Sequence, residues 1–214
     1  MDKRFNLYLQ ELVSWNEKFN LTAITKPEEI KEKHFSDSLL LLQALPTLQT
    51  NKSTDYSLID IGTGAGFPGI PLKLACPGLK LTLLDSNKKK VEFLDHMIRL
   101  LGLTETQAIW GRAEDFAKEN RESFDLAASR AVADLAVLSE LSLPLVKVGG
   151  VFVAYKEVAI EPELVKASEA IKLLGGKLRE VKKFPARSLV IIDKVSPTPV
   201  KFPRRVGMAK KRPL

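Results

Sequence analysis

Apolar side chains recur at steps of three and four through the first stretch of the chain. Leu7, Leu9, Leu12, Val13, Trp15, Phe19 and Leu21 carry the repeat, with Glu11, Glu17 and Lys18 between them. That is the period of a helix with one buried face. Asn20-Leu21-Thr22 breaks it. A second helix is expected after Thr25, whose hydroxyl can cap it, with Pro27 in the first turn and Glu28 completing a capping box. This helix should pass through His34 and Asp37 to Ala44 and stop before Pro46, leaving polar residues 49–55 as a linker.

From Tyr56 the rhythm changes to short apolar runs alternating with helical stretches. Strands are expected at 57–61, 79–84, 106–110, 124–129, 150–155, 178–182 and 188–193. Helices are expected at 67–76, 87–101, 112–120, 131–146 and 161–174. Strands separated by helices imply α/β architecture, with a mostly parallel seven-stranded sheet joined by right-handed crossovers. The last two strands are too close for a parallel crossover, so that pair should be antiparallel at one edge. The expected organisation is a helical extension at 1–54, a ligand-binding core at 55–194 and a short tail at 195–214, within one structural domain.

The 214 residues are 45% hydrophobic and 28% charged, which fits a chain that buries a core and excludes disordered, collagen-like and disulfide-stapled classes. Cys76 is the only cysteine, so neither an internal disulfide nor a thiolate zinc cluster is available. No metal site is expected. Met1-Asp2-Lys3-Arg4-Phe5 lacks the apolar run of a secretory signal, and no apolar stretch is long enough to span a bilayer, so a cytoplasmic location without membrane contact is expected. The net charge of +7 is concentrated at one end: the last 22 residues hold seven basic side chains and one acidic. Such a tail fits either a polyanionic partner or a solvated terminus.

In sheets of this kind, ligands bind outside the carboxyl ends of the strands. The first strand runs into Asp60-Ile61-Gly62-Thr63-Gly64-Ala65-Gly66-Phe67-Pro68-Gly69. Alternate glycines let the backbone turn sharply against a ligand, and a helix opening there offers N–H groups to an anionic end of that ligand. Asp85 ends the second strand, where a carboxylate can accept from both hydroxyls of a ribose. Two cofactors fit. The run Gly64–Gly69 also satisfies a dinucleotide pattern, which keeps an NAD-linked oxidoreductase open. Asp60 beside the loop instead repels a pyrophosphate and can hold the ammonium group of S-adenosylmethionine, directly or through water. The structural alternative makes Asp60 a turn cap and Asp85 the N-cap of the next helix.

Gly111-Arg112-Ala113-Glu114-Asp115 follows the third strand, positioned to bracket an adenine or to serve as a solvated helix start. Ser129-Arg130-Ala131 follows the fourth, where an arginine can fork onto a carboxylate or phosphate. Lys156 ends the fifth and faces either the pocket or solvent. His34 and His96 read as packed or surface histidines with no carboxylate–histidine pairing in view, and Cys76 as a buried small hydrophobe.

The sequence resembles the RsmG (GidB) family of bacterial methyltransferases. The resemblance spans Trp15-Asn16-Glu17-Lys18-Phe19-Asn20-Leu21-Thr22-Ala23-Ile24, His34-Phe35-Ser36-Asp37-Ser38-Leu39, the glycine loop, Leu84-Asp85-Ser86, Arg112-Ala113-Glu114 and Ser129-Arg130-Ala131. It ends with Phe202-Pro203-Arg204-Arg205-Val206-Gly207 and Lys211-Arg212-Pro213-Leu214. It implies a Rossmann-like class I methyltransferase with an N-terminal helical extension. It implies S-adenosylmethionine-dependent N7-methylation of one guanosine in small-subunit (16S) ribosomal RNA, free or in an assembling subunit; a monomer is the expected form. The matching positions put Gly62, Phe67, Ala113, Glu114 and Arg130 in the cofactor site, beside Asp60, Thr63, Gly64, Gly66, Asp85 and Ser86, with Arg130 as the catalytic residue. Lys156, Lys201, Arg204, Arg205, Lys210, Lys211 and Arg212 are the expected RNA contacts. The family's Gly-Thr-Pro-Asn-Lys tail is replaced here by Gly207-Met208-Ala209-Lys210-Lys211. A non-catalytic RNA-binding or ribosome-assembly protein of the same fold is the remaining alternative.

Overall fold

The computed structural model describes residues 3–50, 56–130 and 132–214; the expected 54/55 boundary and Ala131 lie outside them. The chain divides into two compact units, Met1–Trp110 and Gly111–Leu214.

In the first unit, α1 (Lys3–Phe19) buries Tyr8, Leu9, Leu12 and Asn16, a stripe at helical spacing that includes two polar side chains. The expected second helix forms as α2 (Pro27–Ile30), a π-helical turn (Lys31–Ser36) and α3 (Asp37–Ala44) in unbroken succession. Its N-cap is Lys26, without a side-chain hydrogen bond, rather than Thr25. Pro27 already lacks an N–H, so less remains for a capping hydroxyl to satisfy. A further short helix, α4 (Thr47–Thr50), occupies the start of the expected linker. Then come β1 (Ser57–Ile61), α5 (Gly69–Ala75), β2 (Lys80–Asp85), α6 (Lys88–Leu100) and β3 (Thr106–Trp110). β1 pairs with β2 and β2 with β3, both parallel.

The second unit contains α7 (Ala113–Glu119), β4 (Phe124–Arg130), α8 (Leu135–Ser142), β5 (Val146–Lys156), α9 (Glu161–Leu173), β6 (Gly176–Phe184), β7 (Arg187–Lys194) and α10 (Met208–Lys211). The expected helix at 131–146 is shorter: α8 gives way to a 3-10 turn (Leu143–Leu145) containing Pro144, and β5 takes the β-branched residues that follow. β4 and β5 are parallel, whereas β7 runs antiparallel to both β5 and β6. The strand order is β3-β2-β1-β4-β5-β7-β6 in one seven-stranded sheet, the mostly parallel α/β arrangement expected, with the antiparallel strand one place in from the rim. Leu58, Ile59, Leu83, Ala127, Phe152, Val153, Ile191 and Ile192 are fully or almost fully buried, since strands covered on both faces expose neither side.

Candidate functional site

β1 delivers its carboxyl end into the glycine loop, where Gly62, Gly64 and Gly66 have φ of 66°, 63° and 99°. A side chain at these angles strains the backbone. A Cβ on Gly66 would also stand 2.5 Å from Ile70 Cδ1 and 2.7 Å from Tyr8 Oη. Asp60 is fully buried beneath the loop, and its Oδ2 accepts from Thr63 Oγ1 at 2.6 Å and from the Gly69 N–H at 2.8 Å. Its placement is that of a turn cap. Asp85 ends β2 and is 7% exposed. Its Oδ2 accepts from the Gly64 N–H and its Oδ1 from the Asn87 N–H, both at 2.8 Å. The N-cap of α6 is Asn87, whose side chain accepts from the Lys89 N–H, so Asp85 is left to face the loop. Each Asp85 oxygen keeps a lone pair for a further donor.

Most N–H groups of the loop are engaged within the protein and do not stand as the bare amides of an anion site. The N–H groups of Gly62 and Thr63 donate to the Leu84 carbonyl, and those of Gly66 and Phe67 to the Thr63 carbonyl. Ile70 donates to Gly66, and Pro68 has no N–H. With Gly64 and Gly69 held by carboxylates, the expected offer of free amides to an anionic end is not met at these positions. Closing so tight a turn consumes the donors that would have bound a phosphate.

The helical front of the chain braces this loop. Tyr8 donates its phenolic hydrogen to the Ala65 carbonyl. Its ring stacks on Phe67 at 5.3 Å and on Phe35 at 5.2 Å. His34 stacks on Phe67 at 4.5 Å and pairs through Nε2 with Thr22 Oγ1 at 2.8 Å. Ser86 is exposed and Phe67 is 5% exposed. His96 corrects one expectation: its Nε2 lies 2.8 Å from Glu11 Oε2, and its ring stacks on Trp15. Eighty-five residues separate His96 from Glu11, so no local motif could announce the pair. Cys76 is only half-buried, and burial pushes its thiol above the ordinary value.

In the second unit Ala113 opens α7 and Glu114 is 3% exposed. The Glu114 Oε1 accepts from the Gly207 N–H at 2.9 Å, while Arg112 is exposed with its Nε 3.8 Å from Oε2. Ser129 is fully buried and Arg130 half-buried at the end of β4. Lys156 is engaged locally, paired with Glu163 of α9 and donating to the Ala133 carbonyl at 2.9 Å.

The C-terminal segment is docked along its length, not a solvated terminus. Phe202 and Ala209 are buried. Arg121 donates to the carbonyls of Thr198, Pro199 and Phe202. Glu122 accepts from the Thr198 N–H and from Lys194, which is itself fully buried. Burial works to raise the Glu122 carboxyl, but the Thr198 amide and the Lys194 ammonium outweigh it and hold the group below its ordinary value. Glu140, 1% exposed, takes Arg204 in a fork: Nε to Oε1 at 2.8 Å and Nη2 to Oε2 at 2.5 Å. The Glu140 hydrogen bond raises the Arg204 guanidinium further. Arg204 thus anchors the segment, and Lys201, Arg205, Lys210, Lys211 and Arg212 remain exposed on it. Tyr8, Arg121, Glu122 and Glu140 had no recognisable local signal, because their partners lie far along the chain.

Residues 1–191 match the GidB family, rRNA small subunit methyltransferase G. The chain belongs to this family. A relative from Clostridium novyi (strain NT), ribosomal RNA small subunit methyltransferase G, is 47% identical, with 100% of this chain and 90% of the relative covered. The protein of that name from Brevibacillus brevis is 46% identical over 99% of this chain and 90% of its own length. The fold is shared with TYW2 from M. jannaschii, solved in complex with AdoMet, at a TM-score of 0.55 and 18% identity over 71% of this chain and 73% of that one. Family membership makes the chain an rRNA small subunit methyltransferase and disfavours the oxidoreductase and non-catalytic readings.

Proposed function

We propose that the protein uses S-adenosylmethionine to methylate N7 of one guanosine in small-subunit ribosomal RNA. The observation that carries the donor assignment is the internal use of the glycine-loop amides. A dinucleotide needs several such N–H groups for its pyrophosphate, whereas S-adenosylmethionine presents a single carboxylate and its adenosyl part needs a close-fitting backbone and a carboxylate for its ribose. A loop that admits no Cβ at Gly66, beside Asp85 with a lone pair left on each oxygen, suits the second ligand.

When bound, this donor supplies an electrophilic methyl carbon on a positive sulfur. Guanine N7 carries a lone pair and no proton, so the protein has only to align the reacting atoms, an effect worth up to about 7–11 kcal/mol. Gly62, Thr63, Gly64, Gly66 and Phe67 shape the donor side, with Asp60 acting through the loop it ties down. Asp85 and Ser86 serve the ribose. Ala113 and Glu114 belong to the adenine side, with Glu114 acting through its backbone because its carboxylate holds Gly207. Arg130 orients the substrate through its planar fork of donors. Lys201, Arg205, Lys210, Lys211 and Arg212 contact phosphates, and Lys156 supports the same side from its pair with Glu163. The working form is a monomer in the cytoplasm, without a metal ion, acting on free rRNA or an assembling subunit. Functionally, residues 1–54 form an extension to a core at 55–194, and 195–214 a basic tail.

Nucleoside mass spectrometry of rRNA from cells with and without the protein tests the assignment: 7-methylguanosine should fall by one equivalent, and an unchanged level removes it. Calorimetry tests the ribose contact. Asp85→Ala should weaken S-adenosylmethionine by about 2 kcal/mol, the scale of hydrogen bonds to a charged group.

A further inference from the structure

A second surface of the first unit, away from the C-terminal segment in sequence, has the chemistry of a nucleic-acid path. Trp110 ends β3, directly opposite Asp85 in the sheet register, and is 61% exposed. At that exposure the indole is not part of the core. It is instead held by its edge: Nε1 donates to the Ser86 carbonyl at 3.1 Å, which leaves a ring face to solvent. The Lys88 ammonium stands 5.8 Å from the ring centroid. The Lys89 ammonium stands 5.5 Å from the ring of Phe19, itself 36% exposed at the end of α1. The third lysine reaches the glycine loop, since Lys90 Nζ is 3.9 Å from where a Cβ on Gly64 would stand.

The position of these lysines is informative. Lys88, Lys89 and Lys90 form the first turn of α6, which carries no acid. A helix N-terminus is the positive end of the helix dipole, so three cations there oppose the helix's own field. Such a local conflict is expected at functional sites, where a partner can relieve it. Negative charge relieves it, and an aromatic face beside a cation suits a flat ring joined to phosphates.

We propose that Trp110, Lys88, Lys89, Lys90 and Phe19 form the path of an unpaired segment of the RNA substrate. Trp110 is the platform on which one base stacks, and the lysines take the adjoining phosphates. The strand is unpaired because a base within a duplex has no free face to offer. This deepens the proposed function and rests on RNA being the substrate.

The protein has two tryptophans. In a Trp15→Phe background, Trp110 is the only one, and its emission should be quenched on titration with an unpaired oligoribonucleotide of small-subunit sequence. S-adenosylmethionine alone should leave the emission unchanged. Quenching by the donor alone would assign the ring to the donor's adenine and overturn the proposal. In the otherwise unaltered protein, Trp110→Ala should weaken RNA binding about tenfold, with Trp110→Phe recovering most of it. Lys88→Gln with Lys89→Gln should flatten the salt slope of binding by about 1.4. Donor affinity, read by calorimetry, should stay the same in the lysine variant. Wild-type RNA affinity in both sets overturns the surface, while continued methyl transfer by the parent protein leaves the functional reading standing. Loss of RNA affinity in the variants, with no methyl transfer by the parent, does the reverse.

Discussion

The two ends of the chain are fastened by different physics. The first helices hold the glycine loop through rings: Tyr8 lies against Phe35, Phe67 and Phe93, and His34 against Phe67. The last twenty residues are held within their own unit by three carboxylates, Glu114, Glu122 and Glu140, which take backbone N–H groups and the Arg204 fork. Stacks between the phenylalanine and tyrosine rings contribute about 0.5–1.5 kcal/mol per pair beyond their burial and are indifferent to salt and mild acid. Charge-assisted bonds are stronger singly but exist only while the acids are ionised. The loop that must keep its shape is therefore backed by an apolar cluster in addition to its ties to Asp60 and Asp85, whereas the segment that carries the net charge is held chiefly by charge.

The largest effect should come from breaking the ring-held side. Gly66→Ala puts a Cβ into Ile70 and Tyr8 at a φ of 99°, and strain with overpacking should cost about 3 kcal/mol in denaturant unfolding. On the charge-held side, Glu140→Ala strips the partly buried Arg204 of its partner. The cost should be about 2 kcal/mol, with faster proteolysis confined to residues 195–214. Tyr8→Phe keeps the stacking and removes only the bond to the Ala65 carbonyl, so unfolding should shift by about 1 kcal/mol. An effect as large as that of Gly66→Ala would mean that the bond, not the rings, holds the loop.

Acid separates the two sides most gently. The Glu122 carboxyl titrates below 4.5 in the folded protein and near that value when unfolded. Its contribution is thus complete above pH 4.5 and is lost as the pH falls through the lower folded value. Protection of the Thr198 amide, relative to its intrinsic exchange rate, should hold at pH 5 and fall below 4.5, while that of the loop amides of Gly66 and Phe67 changes less.

The strands, the crossover helices and the turn at Gly62–Gly69 were legible in the residues because each follows from a local rule: period, chain length between elements, or a glycine where φ is positive. So was Asp85, which needs only a strand end. Local rules misplaced other features. Thr25 reads as a cap, but the helix starts one residue later, with Lys26 as N-cap and Pro27 in the first turn. Asp60 reads as facing a ligand, and the structure adds that its Oδ2 also ties the loop through Thr63 and Gly69. The basic run at the C-terminus was visible as charge, yet nothing nearby in sequence showed that Arg204 would be spent on Glu140, 64 residues away.

What the residue order alone decides here is where the chain extends, coils and turns, since propensity and spacing act over a few residues. Folding assigns each charged or aromatic group its partner. Asp60, Glu114, Arg204 and Tyr8 became supports and Trp110 was left facing water, because a side chain's partner is whichever group packing brings within a few ångströms, however far along the chain it began.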